Sequence, residues 1–344
     1  MGDNRPPTMK DVADLAGVAL STVSHVINGT RFVREETREK VEGAIEQLGF
    51  RTNLVARNLR SGKSNLIGFA VSNLSAYFYV NIARGIQSVI GPQGYHLALL
   101  DSQENRETEM QNIEALYDRS VDGLILTPTT SSVLHLNRVV SGSSPVVFVD
   151  RQPSDFEGDS VLLSNTDAGY RATRHLIDKG HVDIAFVGFH FGHGEIDRTM
   201  RERITGYEQA HEAAGLTADP DRIRVTAGTS ASTTELKYAE PYHSMKSLLK
   251  EKVTAVLCGN SLAAVGVFSC LKEQSVRIPD EVALVTFDDE LWLSMCSPSI
   301  TVMAQPAELM GASAARRLLK RLENRDLPYE SFRLKADLLL RDSS

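Results

Sequence analysis

Asp150–Arg151, Asn165, Asp167, Asn260 and Asp288–Asp289 each stand at or just past the end of a short apolar run. Asn73, Ser75, Tyr77, Phe78 and Trp292 lie close behind runs of the same kind. Carboxylates, amides and a guanidinium bind vicinal hydroxyls well, and aromatic rings pack on the apolar face of a sugar. The chemistry is that of binding. No G-x-S-x-G, Walker A or C-x-x-C spacing occurs, no Gly-rich phosphate loop, and no carboxylate pair marked as an acid/base couple. No catalytic residue and no cofactor are expected. His190, His193 and Asp197 in FHFGHGEID faintly resemble metal ligands, but they fall in a loop without i,i+4 spacing, and no metal is expected. A carbohydrate or polyol is the first ligand reading. A purine or nucleoside stacked on Phe78 and Trp292 is the second.

These residues need elements to hold them. Apolar runs at 66–71, 95–101, 123–128 and 145–150 predict strands, with helices over 78–90 and 104–117. The pattern then restarts. Helices are predicted over 167–179, 202–214 and 263–273, and strands over 184–189, 223–227, 254–260 and 282–289. Continuous apolar strands joined by helices indicate an α/β fold of doubly wound parallel sheets, covered on both faces. Two such runs predict two similar lobes. In open α/β sheets ligands sit beyond the carboxyl ends of the strands, so the residues above would face a cleft between the lobes.

A different chemistry occupies the first sixty residues. Thr8 and Asp11 have capping-box spacing, so a helix should begin near Met9. Val12, Ala13, Leu15 and Ala16 give it an apolar stripe, and Gly17 ends it. A second helix is predicted from Leu20 to Asn28 with Val23, Val26 and Ile27 inward. Leu20, Ser21, Thr22, Ser24 and His25 then face outward. That face carries small hydroxyls and no Asp or Glu, which would repel phosphate. An ordinary three-helix bundle has no need of such a face. The pattern is that of a helix-turn-helix whose second helix enters the major groove. A third helix over 35–48 would bury Val41, Ala44, Ile45 and Leu48 and stop at Gly49.

Charge supports the division. The chain of 344 residues carries a net −7. Residues 1–63 hold ten Lys/Arg against eight Asp/Glu, whereas the rest holds 27 against 36, so a mildly basic head precedes an acidic body. No apolar run approaches a membrane span, and MGDNRPPTMK has no apolar signal core, so a cytoplasmic protein without membrane association is expected. The three cysteines are read as reduced thiols.

KDVADLAGV (10–18), STVSHVIN (21–28), ETREKVEGAIEQLGF (36–50) and N-x-x-A-R-x-L (53–59) resemble the LacI/GalR (lactose–galactose repressor) family of bacterial transcription regulators, and the resemblance runs over essentially the whole chain. It implies a DNA-binding domain over 1–51, a hinge over 52–63 and a core over 64–344 of two periplasmic-binding-protein-like lobes. The lobes would be 64–162 with 304–332, and 163–303 with 333–344, with chain crossings near 161–164, 301–305 and 332–334. It implies a repressor acting as a homodimer on double-stranded, pseudo-palindromic operator DNA, under a small-molecule effector. Thr8 and Asn28 would join the DNA-facing residues of the head. The hinge, too short to be helical alone, would fold on DNA. There Asn53 and Arg57 would contact DNA, Leu59 would wedge into the minor groove, and Ala56 would let two hinges approach. Arg60 and Lys63 would lie near phosphates. Arg203 from RITGY and Gln305 from AQP would join the ligand residues. The chain departs from the family pattern at Ala19 and Arg34 (usually Ser), His25 (usually Arg), Thr52 and Tyr77 (usually and often Pro) and Ser261 (often Asp). These departures bear on the operator sequence and the effector. The rival expectation, a sugar-binding protein without DNA function, needs an export signal and no head.

Overall fold

The computed structural model describes residues 5, 7–28, 31–50, 63–140, 142, 144–191, 196–228 and 234–344. The hinge positions Asn53, Ala56, Arg57, Leu59 and Arg60, and also His193, lie outside them. The chain divides into two compact units, Met1–Ser64 and Asn65–Ser344.

The first unit is built from α1 (Met9–Ala16), α2 (Leu20–Asn28) and α3 (Glu35–Leu48). Thr8 caps α1 as its spacing predicts: its hydroxyl accepts from Asp11 N–H, and the Asp11 carboxylate accepts from Thr8 N–H at 2.7 Å. Gly17 and Gly49 end α1 and α3 in the left-handed region at φ 67 and 61. Val12, Val23 and Val41, one from each helix, are wholly buried, and Ile45 and Leu48 pack around them.

The second unit holds two six-stranded sheets. The first contains β1 (Leu66–Val71), β2 (His96–Asp101), β3 (Gly123–Leu126), β4 (Val146–Val149), β5 (Asp159–Leu163) and a late strand, β11 (Ser331–Leu334). Its order is β2-β1-β3-β4-β5-β11, parallel throughout. α4 (Tyr77–Ile90) and α12 (Ala307–Glu323) cover one face, and α5 (Arg106–Asp118) and α6 (Asn137–Val140) the other.

The second sheet contains β6 (Ile184–Phe191), β7 (Ile223–Gly228), β8 (Ala255–Cys258), β9 (Ala283–Phe287), β10 (Thr301–Ala304) and β12 (Asp337–Leu339), in the order β7-β6-β8-β9-β10-β12. α7 (Asn165–Asp178) and α8 (Arg198–Ala213) cover one face, and α9 (Thr234–Leu248), α10 (Ser261–Glu273) and α11 (Leu291–Met295) the other. β12 runs antiparallel to β10, a departure from the all-parallel expectation. β12 enters this sheet directly from β11 of the other sheet, so no crossover within one sheet fixes its direction. The chain leaves the first sheet after Leu163, returns after Ala304 and leaves again after Leu334.

α9 is absent from the sequence expectation. Pro241 lies inside it, and a mid-helix proline normally argues against a helix. Packing against α10 and β7 supports it here: Met245 and Leu248 are fully buried in the lobe's core.

Candidate DNA-reading helix and interlobe cleft

In the head, α2 presents Leu20, half exposed, and exposed Ser21 at its start. Thr22, Ser24 and His25 are partly exposed, while Val23 and Val26 face the core. α2 has no acidic residue in its first turn. Ala19 accepts from the N–H groups of Thr22 and Val23 at 2.9 and 3.3 Å through its carbonyl, so it holds the capping position without a capping side chain. Phe32, 92% exposed, follows in the loop before α3, next to Arg31 and close to Arg34. The helix therefore offers a neutral, hydroxyl-rich surface with cations beside it, which suits a phosphate-lined groove.

In the core unit, the carboxyl ends of both sheets meet at a small, partly open cavity of about 80 Å³. Of the residues singled out from sequence, Asn73, Phe78, Asp150, Arg151, Arg203, Asn260, Asp288 and Gln305 line it. Tyr77 lines a smaller adjoining cavity with Phe78, Asp288 and Gln305. Ser75 is turned back, its N–H and hydroxyl both donating to Asn73 Oδ1. Trp292 does not reach the cavity: its indole N–H donates to Glu290 at 3.0 Å and its ring packs on Phe268. Asn165 acts indirectly, accepting from Arg203 Nε at 2.8 Å. Asp167 lies beside Arg171 on α7 and away from the cavity.

Arg203 is held by packing as well as hydrogen bonds. Its Nη1 donates to Gly259 O at 2.6 Å, and its guanidinium lies 4.0 Å over the Phe287 ring. α8, which carries it, sits directly against α7 because Gly206 and Gly169 face each other across the contact. A Cβ on either would overlap backbone of the other helix, at Thr166 O and Arg203 O. This accounts for the glycine in the R-x-x-G-Y run. Its tyrosine, Tyr207, is buried and donates to Ile184 O at 2.7 Å.

Sequence reading missed Tyr79, Glu104, Asp197, Phe189, His190, Thr199 and Ser261 as wall residues, all of which line the cavity. The helix predicted over 104–117 includes Glu104. That helix begins later, at Arg106, because Asn105 caps it by accepting from Thr108 N–H, and the N-x-x-T spacing was the available signal. Glu104 instead has a left-handed backbone and binds both outer nitrogens of Arg151 at 2.9 and 3.1 Å. Tyr79 donates to Asp150 Oδ2 at 3.0 Å. His190 and Asp197, weighed from sequence as faint metal ligands, both belong to the wall. Among the described residues no three His, Cys, Asp or Glu cluster as a metal site.

The electrostatics are uneven. Burial pushes the Asp150 carboxyl up to about 6, against the pull of Arg151, Arg203 and the Tyr79 hydroxyl. Burial acts on Asp197 in the same sense but is outweighed. Arg151, the Thr199 hydroxyl and Met200 N–H hold Asp197 below the usual carboxylate range. Asp288 accepts from Ser261 N–H at 3.2 Å and from Gln305 Nε2. Gln305 Oε1 and Arg151 Nε are buried with no hydrogen-bond partner, an acceptor and a donor available to a guest.

The chain is similar to known proteins along its whole length. The profile described as "Bacterial regulatory proteins, lacI family" matches residues 8–53, and "Periplasmic binding protein-like domain" matches 173–344. "HTH-type transcriptional repressor PurR" of Vibrio campbellii is 32% identical over 338 residues, covering 98% of each chain. The protein of the same name from Vibrio cholerae serotype O1 is 32% identical over 341 residues, 98% of this chain and 97% of that one. Among solved structures, the Lac repressor dimer bound to operator and the anti-inducer ONPF superposes with TM-score 0.83 at 25% identity, covering 98% and 99% of the two chains. The transcriptional regulator CelR–cellobiose complex gives 0.71 at 28%, covering 98% and 100%. With a helix-turn-helix head and a two-lobed core both matched end to end, this chain belongs to the LacI family of bacterial DNA-binding transcription regulators.

Proposed function

We propose that the chain is a transcription repressor whose affinity for a pseudo-palindromic operator is set by a sugar or polyol bound between the core lobes. The observation that carries the effector part is the cleft itself. Arg203, Asn260 and Asp288 from one lobe face Asn73 and Asp150 from the other, at the carboxyl ends of the strands. These are planar hydrogen-bonding groups, with Phe78 as a ring for an apolar sugar face. The solved CelR neighbour, complexed with cellobiose, supports a carbohydrate. A purine or nucleoside is the second reading and rests on Phe78. The second stacking surface expected from sequence, Trp292, is committed to Phe268 instead, which favours the polyol.

The working unit in this reading is a homodimer in the cytoplasm, its two heads on adjacent half-sites. The effector would change the angle between the lobes and thereby bias whether residues 52–63 fold on DNA. The coupling is reciprocal: a ligand that lowers operator affinity is itself bound less tightly when operator is present, by the same factor.

The test is a pair of titrations. Arg203→Ala or Asp288→Ala should abolish the effector response and keep operator recognition. Leu59→Ala should weaken operator binding and keep effector binding. An unchanged effector response in both cleft variants defeats the cleft assignment, and unchanged operator affinity in Leu59→Ala defeats the hinge. Turnover of any sugar or nucleoside by the purified chain would return it to the enzymes.

A further inference from the structure

Taking the cleft as the effector site, its charges narrow the class of effector. Glu104, Asp150, Asp197 and Asp288 place four carboxylates in the wall, against the two guanidiniums of Arg151 and Arg203. Two negative charges are left over. Three of the four carboxylates are well supported. Glu104 is paired with Arg151 in a two-pronged contact. Asp197 caps α8, accepting from Met200 N–H at 3.0 Å and from the Thr199 hydroxyl. Asp288 has Ser261 N–H and the Gln305 amide.

Asp150 has much less. It is 7% exposed and accepts one hydrogen bond, from Tyr79. The nearest cation is Arg151 Nε at 3.9 Å, on a guanidinium whose outer nitrogens are already taken by Glu104. Asp150 thus shares one guanidinium with Glu104, and the three groups together keep a net negative charge in a buried place. Gln305 Oε1, buried and unpaired, adds a second acceptor without a donor.

We propose that the effector is a sugar or polyol carrying a protonated amine, with its ammonium against Asp150 and its hydroxyls on Arg203, Asp288 and Gln305. A neutral polyol leaves the surplus negative charge of the wall unbalanced. A phosphorylated one adds charge of the sign the cleft already has in excess.

The amine also makes binding pH-dependent. Burial raises the Asp150 carboxyl to about 6, so its charge is lost as pH falls through that value. The groups around it are Tyr79, Glu104 and Arg151 from its own lobe and His190, Asp197, Arg203 and Asp288 from the other.

The experiment titrates the full-length chain with glucosamine, galactosamine and mannosamine, each beside its parent hexose and the hexose 6-phosphate, with adenine and hypoxanthine as further arms. Calorimetry and thermal shift are the readouts. At least one amino sugar should bind about tenfold or more tightly than its parent, with the phosphate weakest. The preference should disappear in Asp150→Asn, which keeps its fold by circular dichroism and still binds operator. In the native chain it should shrink as pH is lowered through about 6. A hexose or hexose phosphate that equals or outranks its amino counterpart overturns the inference and leaves sugar control standing. A purine base that binds where no sugar does defeats both. Failure of every amino sugar to bind also overturns it.

Discussion

Asp150 and Asp288 occupy equivalent places in the two lobes. Each is the first residue after its strand, β4 or β9, and each of those strands is fourth from the β2 or β7 edge of its sheet. Each has a left-handed backbone, φ 68 and 70, and each faces the shared cavity. Such a backbone costs of order 1–3 kcal/mol for a non-glycine residue, least for Asp and Asn, and tends to persist at ligand sites. The two differ in support: Asp288 has a backbone N–H and an amide, while Asp150 has one tyrosine hydroxyl.

That difference predicts a stability change. The Asp150 carboxyl is raised to about 6 in the folded chain by burial, so the native state holds its proton more tightly than the unfolded state. Ionised Asp150 therefore costs stability at pH above about 6, and the cost fades toward the ordinary carboxylate range near pH ~4. Asp150→Asn should raise stability at neutral pH by up to about 3 kcal/mol, with the gain vanishing near pH ~4. Urea denaturation across that range measures it, and a loss at neutral pH would contradict the assignment.

Gly206→Ala should push α8 off α7, because the added Cβ would overlap Thr166 O. A cost of about 1–3 kcal/mol is expected, as for other overpacked contacts. Arg203 is one helical turn away, so effector affinity should fall as well while operator binding persists. Thermal denaturation and effector titration of the same sample separate the two effects. Unchanged stability would show that the helices have room.

Asp159 is fully buried between Arg317 Nε at 2.7 Å and Arg321 Nε at 2.8 Å, and it also accepts from Glu330 N–H. It ties the start of β5 to the far end of α12. Asp159→Ala removes the carboxylate that two buried guanidiniums share, leaving Arg317 with the half-exposed Glu330 at 3.2 Å, and should cost about 3–5 kcal/mol. Chemical denaturation of the core unit is the measurement, and a loss below ~1 kcal/mol would mean the arginines find new partners.

In the head, Ala19→Ser supplies the missing cap of α2. The gain should be about 1 kcal/mol, seen as slower hydrogen exchange of the first α2 amides. Should the new hydroxyl also meet a phosphate, operator affinity rises with little change in salt slope, since no charge is added. Faster exchange in the variant would mean that Ala19 is not the capping position.

The elements readable from sequence were those whose signals are local. Thr8 and Asp11 are three residues apart and bond to each other, so α1 and its start follow from their spacing. Strands fully buried between helices are continuous apolar runs, and the polar residue closing each run marks a strand's carboxyl end. Asp150, Asn260 and Asp288 are found by that rule and lie at the cavity. α9 and the reversed β12 escaped, since Pro241 disguises the one and the other reaches its sheet by a crossing from the first lobe.

The chain's order of amino acids was enough to define a DNA-reading head, two α/β lobes and the strand ends between which a ligand would sit, because capping and burial act over a few neighbouring residues. Folding in three dimensions decided which side chains share that cavity. It brought Glu104 to Arg151 across 47 positions, set Asp197 among the wall residues, turned Trp292 onto Phe268 and left Asp150 short of a partner. Pairings of charge and ring over such separations depend on how helices and sheets pack, and no local spacing encodes them.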